Sequence, residues 1–231
     1  MEVVLGIVII LVLGAISYFR RVLDLKGTLS AVVMGLIILI LGSVYLLLGM
    51  ALFLFSSFFV TKLGAKKKKK IESYSITRTS DNVLYNGIVP TLLCLSMPLV
   101  GDPKLVSVLF LSAVSAANSD TWASEIGVLS KRAYMIIGLK RVKPGENGAV
   151  SPLGFLSSAA GAMLIGAYSA LWLPKISFLI VSLSGFIGSV ADSILGETLE
   201  NKGYLNKHSV NALCTLIGAA CSWGLSAAFG I

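Results

Sequence analysis

Apolar residues occur in long runs along this chain, and short polar stretches separate the runs. A helix needs about 20 consecutive apolar residues to cross the hydrocarbon core of a bilayer. Most of the runs approach or exceed this length, but the second and fourth are short and are candidates for half-spans or re-entrant elements. The apolar segments are Val3–Phe19, Thr28–Leu41, Ser43–Leu63, Ile88–Val100, Leu105–Leu129, Ala149–Leu173, Ile176–Leu195 and Ser209–Ile231.

This pattern predicts an all-α polytopic membrane protein, a bundle of seven or eight transmembrane helices. The composition agrees, since 56% of the residues are apolar, 13% are charged and the mean hydropathy is +0.89. An ordinary globular domain contains roughly 25% charged residues, and a disordered chain contains far fewer apolar ones. No polar stretch is long enough for a soluble domain, so residues 1–231 are interpreted as a single integral membrane domain.

The basic residues fall on one side of the predicted bundle. If all eight segments cross, the loops and helix ends on that side hold every Lys and Arg except Lys104 and Lys175. The positive-inside rule places this side in the cytoplasm and both termini outside. We expect the cell membrane as the location, because no transit peptide is evident. The basic loops are Arg20–Lys26, Lys62–Asn86, Ser130–Gly148 and Gly196–His208.

The lysine run Lys66–Lys70 supplies much of the formal net charge of +8. Lysines beside a transmembrane segment set its topology and attract anionic lipid, each contributing about 1 kcal/mol near the surface. No aromatic residues are interleaved with these lysines, and no nucleic-acid-binding motif accompanies them. We therefore expect membrane lipids as a partner and no nucleic acid.

Two acidic clusters interrupt the apolar segments, and acidic residues inside membrane helices by default mark function because burying them is costly. The first cluster contains Asp120 and Glu125, and the second contains Asp192 and Glu197. Both read Asp-[Ser/Thr]-x-x-[small]-Glu, at the same end of segments that run in the same direction, which indicates a weak internal repeat. The small residues beside them allow two helices to approach closely and bring the aspartates together.

The spacing gives the two acids of each cluster different directions. Residues five apart lie about 140° apart around a helix, so the aspartate can face inward while the glutamate faces sideways. Two carboxylates with hydroxyls at a membrane boundary suit a hard cation, and we expect Mg²⁺ carrying phosphates. Two alternatives stay open: a cation or proton relay in a transporter, and carboxylates paired with arginine for structure.

Three polar patches are predicted on the same face as the acidic clusters. One leads into the fourth segment, one is a basic loop before a helix N-terminus, and one opens the last segment. Backbone N–H groups and the helix dipole at such a terminus can bind phosphate. The residues of these patches are Arg78, Asn82, Asn86, Lys140, Arg141, Lys143, Asn147, Gly148, Asn206 and Asn211.

Three stretches together resemble the phytyl-phosphate kinase family of the vitamin E pathway. They are Asn118–Gly127 (NSDTWASEIG), Asn147–Ser151 (NGAVS) and Gly188–Glu200 (GSVADSILGETLE). The resemblance covers nearly the whole chain, and it extends more distantly to the CTP-dependent dolichol and phytol kinases. Where that family leads us to expect Gly-Thr-Asn-Gly, this chain has Gly-Glu-Asn-Gly at residues 145–148, which adds a negative charge.

The resemblance implies a membrane kinase that transfers a phosphoryl group from CTP, or another nucleoside triphosphate, to a prenyl monophosphate such as phytyl- or geranylgeranyl-phosphate. The acceptor phosphate is already ionised, so metal ions and cationic donors matter more than a general base. Asp120 and Asp192 would bind Mg²⁺, and Glu125 and Glu197 would be further catalytic ligands or orienting residues. The prenyl tail would lie between helices within the bilayer.

The remaining assignments concern phosphates and the nucleotide base. Lys140, Arg141 and Lys143, with the backbone of Asn147 and Gly148, are expected to hold the nucleotide phosphates. Arg78 is expected to clamp the lipid phosphate. The other candidates for binding phosphate or base are Asn82, Asn86, Asn118, Ser189, Ser193, Asn206 and Asn211.

Two other functions stay open at this point. A CTP:lipid-phosphate cytidylyltransferase would use the same metal and nucleotide but release pyrophosphate. A cation- or proton-coupled transporter would hold its charged residues near the bilayer centre, often within inverted repeats. Here the repeat runs in parallel and its acids crowd one membrane boundary, which favours an enzyme. The sequence leaves the oligomeric state open.

Overall fold

A computed structural model describes residues 2–68 and 79–231 of the chain. Its helices are α1 (Glu2–Phe19), α2 (Leu25–Leu41), α3 (Val44–Lys62), α4 (Ala65–Lys68), α5 (Ser80–Val100), α6 (Pro103–Gly127), α7 (Pro152–Ser169), α8 (Ser177–Leu195) and α9 (Lys207–Phe229). Three short strands lie between α6 and α7: β1 (Ala133–Met135), β2 (Arg141–Val142) and β3 (Ala149–Val150). A π-helical turn, Gly196–Glu200, follows α8.

The helices confirm the predicted all-α membrane bundle. Apart from the single turn of α4, each described helix corresponds to one of the predicted apolar segments. Four elements of the described residues are long and apolar enough to cross a membrane: α3, α5, α8 together with its π-helical turn, and α9. The apolar stretches of α1 and α2 are shorter. The 17 residues of α2 form one continuous helix, which at 1.5 Å per residue is about 26 Å long.

The structure corrects the interpretation of the fourth segment, Ile88–Val100, as a half-span or re-entrant element. This segment is the second part of α5, a continuous helix of 21 residues that starts at Ser80. The first turns of α5 are polar, which is why the apolar run looks short in the sequence. Asn86 and Gly87 in these turns are buried against other helices, so the protein and not the lipid surrounds them.

Helix α6 is the centre of the bundle and packs against α3, α5, α7, α8 and α9. Most of its middle, residues 106–119, is buried. Small residues let the neighbouring helices approach: a β-carbon added to Gly188 of α8 would lie 2.6 Å from the β-carbon of Ala116. The close approach that the flanking small residues predict is therefore confirmed, and it places the C-terminal ends of α6 and α8 side by side.

The connection between α6 and α7 contains a small antiparallel sheet that the sequence analysis does not predict. The strand order is β2-β1-β3, with Ala133 paired to Val142 and Met135 paired to Ala149. Strands of two or three residues are too short to show an alternation of apolar and polar positions. The sheet holds the β2–β3 loop, residues 143–148, beside the ends of α6 and α8.

Several helix ends meet on one face of the bundle, which we call the site face. Lys68, after α3, contacts Glu125 at the end of α6. A β-carbon added to Gly27, at the start of α2, would lie 3.3 Å from the nitrogen of Ser80 at the start of α5. The ends of α6 and α8 and the starts of α7 and α9 meet here as well. The described connections on this face are residues 20–24, 63–68, 79, 128–151 and 196–206.

Candidate functional site

A cavity of about 260 Å³ opens on the site face where α6, α7, α8 and α9 meet. The ends of α6 and α8 each contribute an aspartate, and the first turns of α7 and α9 contribute polar groups. The β2–β3 loop forms another wall. The polar and loop residues that line the cavity include Asp120, Ser124, Glu146, Asn147, Gly148, Ser151, Ser158, Ser189, Asp192, Ser193, Glu200, Lys207 and Asn211.

Asp120 and Asp192 meet in this cavity, as the repeat predicts. Asp192 interacts electrostatically with Asp120, with Glu200 of the π-helical turn and with Lys207 of α9. The Oδ2 atom of Asp192 is buried and has no hydrogen-bond partner among residues 2–68 and 79–231. Two neighbouring carboxylates repel each other unless a cation or a proton lies between them. The pair is therefore a position where a cation would be stabilised.

The donor set fits Mg²⁺. This ion binds through one or two protein carboxylates and completes its shell with water and substrate phosphates. Asp120 and Asp192 supply two carboxylates, and the buried Oδ2 atom of Asp192 is a group that a cation would satisfy. The described parts of the chain contain no cluster of three or more His, Cys, Asp or Glu side chains that could hold a metal. Two aspartates alone would leave most coordination positions of a Mg²⁺ ion to water or to ligand oxygens.

Buried serine hydroxyls join three helices beside the aspartates. The Oγ atom of Ser119 on α6 lies 2.7 Å from the Oγ atom of Ser158 on α7. The Ser158 hydroxyl donates to Oγ of Ser189 on α8 at 3.0 Å. Ser119 precedes Asp120 directly, and Ser189 lies about one turn before Asp192. These hydrogen bonds fix the rotation of α6 and α8 relative to α7, and with it the direction of both carboxylates.

The β2–β3 loop is held against the π-helical turn. Gly148 has φ +76°, and a β-carbon added to it would lie 2.5 Å from the backbone nitrogen of Glu197. Asn147 Nδ2 donates to Oδ1 of Asn201 at 3.0 Å, and Asn201 Nδ2 donates to the Asn147 carbonyl at 3.1 Å. Glycine is the residue that suits both the positive φ and the short distance to the Glu197 backbone, because it has no β-carbon. The Asn147–Gly148 pair therefore has one defined conformation at the cavity wall.

The N-terminus of α7 lies at the same cavity. Ser151 is its N-cap: the Oγ atom accepts a hydrogen bond from the Gly154 nitrogen at 3.0 Å and donates to the Gly127 carbonyl of α6 at 3.2 Å. Pro152 occupies the first helical position, where no backbone donor is needed. The partial positive charge of a helix N-terminus favours an anion. This end of the cavity is suited to a phosphate group.

The structure brings part of the predicted site together. The predicted site residues that line the cavity are Asp120, Asn147, Gly148, Ser189, Asp192, Ser193 and Asn211. The other predicted residues that the structure describes lie outside this lining.

Glu125 lies outside the cavity lining and faces α3, the sideways direction that the five-residue spacing predicts. Lys68 Nζ donates to its Oε2 atom at 2.7 Å, and the Thr61 hydroxyl donates to its Oε1 atom at 3.1 Å. Nζ also donates to the carbonyls of Val60 and Thr61 at the end of α3. Lys68 is fully buried, which corrects the expectation that the whole lysine run lies at the lipid surface.

Glu197 and Asn118 also connect elements outside the cavity lining. The Oε2 atom of Glu197 accepts a hydrogen bond from the Ile137 nitrogen at 2.9 Å, which ties the β1–β2 connection to the π-helical turn. Asn118 is fully buried. Its Oδ1 atom accepts from the Ser56 hydroxyl at 2.7 Å, and its Nδ2 atom donates to the Gly161 carbonyl at 2.7 Å. Asn118 therefore joins α3, α6 and α7.

The basic residues of the loop, Lys140, Arg141 and Lys143, are exposed on the site face and lie outside the described cavity lining. The Glu146 side chain accepts a hydrogen bond from the Lys143 nitrogen at 3.0 Å. The acidic residue that departs from the family pattern thus stabilises the turn of the loop in which it lies.

The remaining asparagines lie at helix starts. Asn206 caps α9 by accepting from the Ser209 nitrogen at 2.9 Å. On α5, Asn82 Nδ2 donates to the Thr79 hydroxyl at 3.1 Å, and Asn86 Nδ2 donates to the Asn82 carbonyl at 2.8 Å. Arg78 lies outside the described residues, so its contact with a lipid phosphate stays a prediction.

The polar lining residues that were not assigned from the sequence include Ser158, Glu200 and Lys207. Lys207 is the cationic side chain of the described lining, and its position in the patch that opens α9 could have indicated it. Glu200 ends the third stretch of the family resemblance. Ser158 lies in a helix rich in Ala, Gly and Ser, where no pattern distinguishes it from its neighbours.

Comparison with known proteins places the chain in a family. The integral membrane protein family DUF92 matches residues 8–219. The chain is 34% identical over 216 residues to the uncharacterized membrane protein MJ0933 of Methanocaldococcus jannaschii, covering 92% of this chain and 90% of that protein. It is 32% identical to Protein PGR of Arabidopsis thaliana, covering 81% of this chain and 75% of that protein. No solved structure matches. The chain belongs to the DUF92 family of integral membrane proteins.

Proposed function

We propose that this chain is a phosphotransferase that transfers a phosphoryl group from CTP, or another nucleoside triphosphate, to a prenyl monophosphate such as phytyl- or geranylgeranyl-phosphate. The observation that carries the proposal is the Asp120–Asp192 pair in a cavity of about 260 Å³ at the helix ends. The resemblance of three stretches to the phytyl-phosphate kinase family supports it as well. In this proposal the site face is cytoplasmic, where the nucleotide is available.

The reaction joins two anions. An ionised oxygen of the prenyl monophosphate attacks the γ-phosphorus of the nucleotide, and a new P–O bond forms. The bond from the γ-phosphorus to the β–γ bridging oxygen breaks, and the nucleoside diphosphate leaves with the electron pair. Because the nucleophile is already ionised, the protein needs to supply position and charge neutralisation more than a strong base.

The cavity residues meet these needs. Asp120 and Asp192 would hold Mg²⁺, which supplies neutralisation of the phosphate oxygens when bound. Lys207 and the N-terminus of α7 would bind phosphate oxygens from the protein side. The Asn147–Gly148 pair, held rigidly against the π-helical turn, would orient the nucleotide.

Glu125 and Glu197 act as positioning residues in this proposal. Glu125 joins the end of α6 to Lys68 and Thr61. Glu197 joins the turn after α8 to the backbone of the sheet. Each glutamate therefore stabilises the helix end that carries one of the two aspartates.

The test is nucleotide turnover by the purified protein in detergent with Mg²⁺ and geranylgeranyl monophosphate, with separation of the products. CDP together with geranylgeranyl diphosphate supports the kinase. Pyrophosphate with a cytidylylated lipid would replace it with the cytidylyltransferase. No turnover of any nucleoside triphosphate by a folded protein would reject both and favour the transporter.

A matched pair of variants connects turnover to the site. Asp120→Asn is expected to reduce turnover by at least about 100-fold, since it removes one of the two carboxylates that would hold Mg²⁺ against the phosphates. Asp102→Asn changes the other end of the same helix, where Asp102 is the N-cap, and asparagine is also a good N-cap. Turnover by the Asp102→Asn variant is expected to stay within about twofold of the native value.

A further inference from the structure

The connection between β1 and β2 forms a hairpin with an apolar, exposed tip. Ile137 is 57% exposed and Leu139 is 72% exposed. The Met135 nitrogen donates to the Lys140 carbonyl at 2.9 Å, and the Leu139 nitrogen donates to the Met135 carbonyl at 3.0 Å. These hydrogen bonds give the tip a defined conformation. An apolar environment would stabilise both exposed side chains.

Five cationic residues flank this tip, and residues 131–143 contain no acidic residue. We call residues 131–143 the basic hairpin. All five cationic side chains are exposed, and none of them is part of the described lining of the cavity that holds Asp120 and Asp192. The proposed phosphoryl transfer therefore leaves them without a role. The five residues are Lys131, Arg132, Lys140, Arg141 and Lys143.

A hydrogen bond fixes the depth of the tip in the membrane. The Ile137 nitrogen donates to the Oε2 atom of Glu197 at 2.9 Å. Glu197 is the second residue after α8, and it lies within Ser177–Glu200, which is long and apolar enough to cross a membrane. The end of a crossing helix lies at the boundary between the acyl chains and the head groups. The tip of the basic hairpin therefore lies at this boundary too.

The tip also lies on the lipid-facing side of α8. Leu179, Leu183 and Ile194 of this helix are exposed, and exposed apolar side chains of a crossing helix face lipid. Glu197 comes about five turns after Leu179, so it lies on nearly the same side of the helix. The tip residues 136–139 lie outside the described lining of the cavity. Glu197 therefore holds the tip beside lipid and not over the cavity.

We propose that the basic hairpin binds the surface of an anionic phospholipid membrane. Ile137 and Leu139 enter the boundary between head groups and acyl chains, and the five cationic side chains contact the phosphates of anionic lipids. Apolar burial and attraction to anionic head groups act together in such binding. The depth of the tip and its side of α8 favour lipid over a soluble protein partner with an acidic surface. The inference does not depend on the proposed function.

Quenching by brominated lipid measures the insertion of the tip. Ile137→Cys, in a Cys221→Ala background, is labelled with a fluorescent thiol reagent and reconstituted into nanodiscs. Phosphatidylcholine with bromine near the head-group end of its acyl chains is expected to quench this label at least about twofold more strongly than a label at Lys202→Cys. Lys202 is an exposed position of the site face outside the hairpin. Quenching at residue 137 that is no stronger than at residue 202 would place the tip in water and overturn the inference.

A matched pair of variants tests the charges with the same label at residue 137. Brominated phosphatidylglycerol is expected to quench the label about twofold more strongly than brominated phosphatidylcholine at equal mole fraction, because the cations concentrate anionic lipid around the tip. Arg141→Gln with Lys143→Gln is expected to lose most of this preference. Lys26→Gln with Lys202→Gln removes two exposed charges of the site face outside the hairpin and is expected to keep it. No preference in the unaltered hairpin, or equal loss in both double variants, would overturn the inference.

Discussion

Asp192 combines a buried carboxylate oxygen without a partner among the described residues with a second carboxylate beside it. Without a cation such a pair is costly, because two close, buried carboxylates either repel each other or must take up a proton. A cation that binds between the two carboxylates removes this destabilisation, and it can do so only in the folded state, where the carboxylates are close together. The Asp120–Asp192 pair therefore predicts that Mg²⁺ raises the thermal stability of the protein, which can be measured without a substrate.

Asp192→Asn is expected to leave the thermal midpoint without Mg²⁺ unchanged or higher, because a neutral amide beside Asp120 neither repels it nor needs a proton. Mg²⁺ is expected to raise the midpoint of the native protein, since a ligand that binds only the folded state stabilises it. The variant is expected to lose this response. The measurement is thermal unfolding in detergent with and without Mg²⁺, and Asp102→Asn is expected to respond as the native protein does. An equal response of Asp192→Asn would contradict the metal assignment.

Glu125→Gln is expected to destabilise the protein by about 3 kcal/mol, because it removes a carboxylate that accepts a hydrogen bond from the buried ammonium of Lys68 at 2.7 Å. Lys68 is fully buried and Glu125 is largely so. The measurement is the free energy of unfolding in denaturant. The double variant Lys68→Met with Glu125→Gln is expected to recover part of the loss, because the buried ammonium is then removed together with the carboxylate. A double variant less stable than Glu125→Gln alone would contradict this account.

At the scale of elements, the contact between the β2–β3 loop and the π-helical turn shapes one wall of the cavity. Gly148 and Gly203 both have positive φ and both lie on the site face. They differ in their surroundings, since a β-carbon at Gly148 would meet the Glu197 backbone and one at Gly203 would meet nothing within 4 Å. Substituting each glycine by alanine therefore measures two effects on stability separately: the strain of the positive φ, which both positions share, and the clash with Glu197, which only Gly148 has.

Gly203→Ala is expected to cost about 1 kcal/mol from its left-handed backbone alone. Gly148→Ala is expected to cost about 2–3 kcal/mol, because the loop must also move away from Glu197. Turnover per folded molecule is expected to fall only in Gly148→Ala. The free energy of unfolding and the specific activity of both variants check this prediction, and equal effects of the two substitutions would show that the contact has no role.

At the scale of the whole molecule, the charge distribution predicts which face is cytoplasmic. Lys202 is exposed on the site face, and Lys104 is exposed at the start of α6 on the other face. In intact cells, Lys104→Cys is expected to react with a membrane-impermeant thiol reagent and Lys202→Cys to react only after lysis. The native protein is the control, because Cys94 and Cys214 are buried and Cys221 is partly buried. The reverse pattern would place the site face outside.

The pattern along the chain predicts the helices well because each apolar run must be long enough to cross the bilayer. It predicts the meeting of Asp120 and Asp192 because repeated small residues permit one close helix crossing. The pattern underestimates the length of α5, because the first turns of this helix, residues 80–87, are polar and pack against protein. The three-stranded sheet is missed because strands of two or three residues carry no periodicity.

The sequence by itself determines that this chain is a membrane helix bundle with its basic loops on one side and its two acidic clusters at one boundary. Hydropathy, charge asymmetry and spacing are local properties, and each of these conclusions needs only local information. The tertiary structure decides which polar residues share a cavity. Lys68 pairs with Glu125, while Lys207 and Glu200 join the aspartates, because the crossing of distant helices and the backbone of one loop place them there.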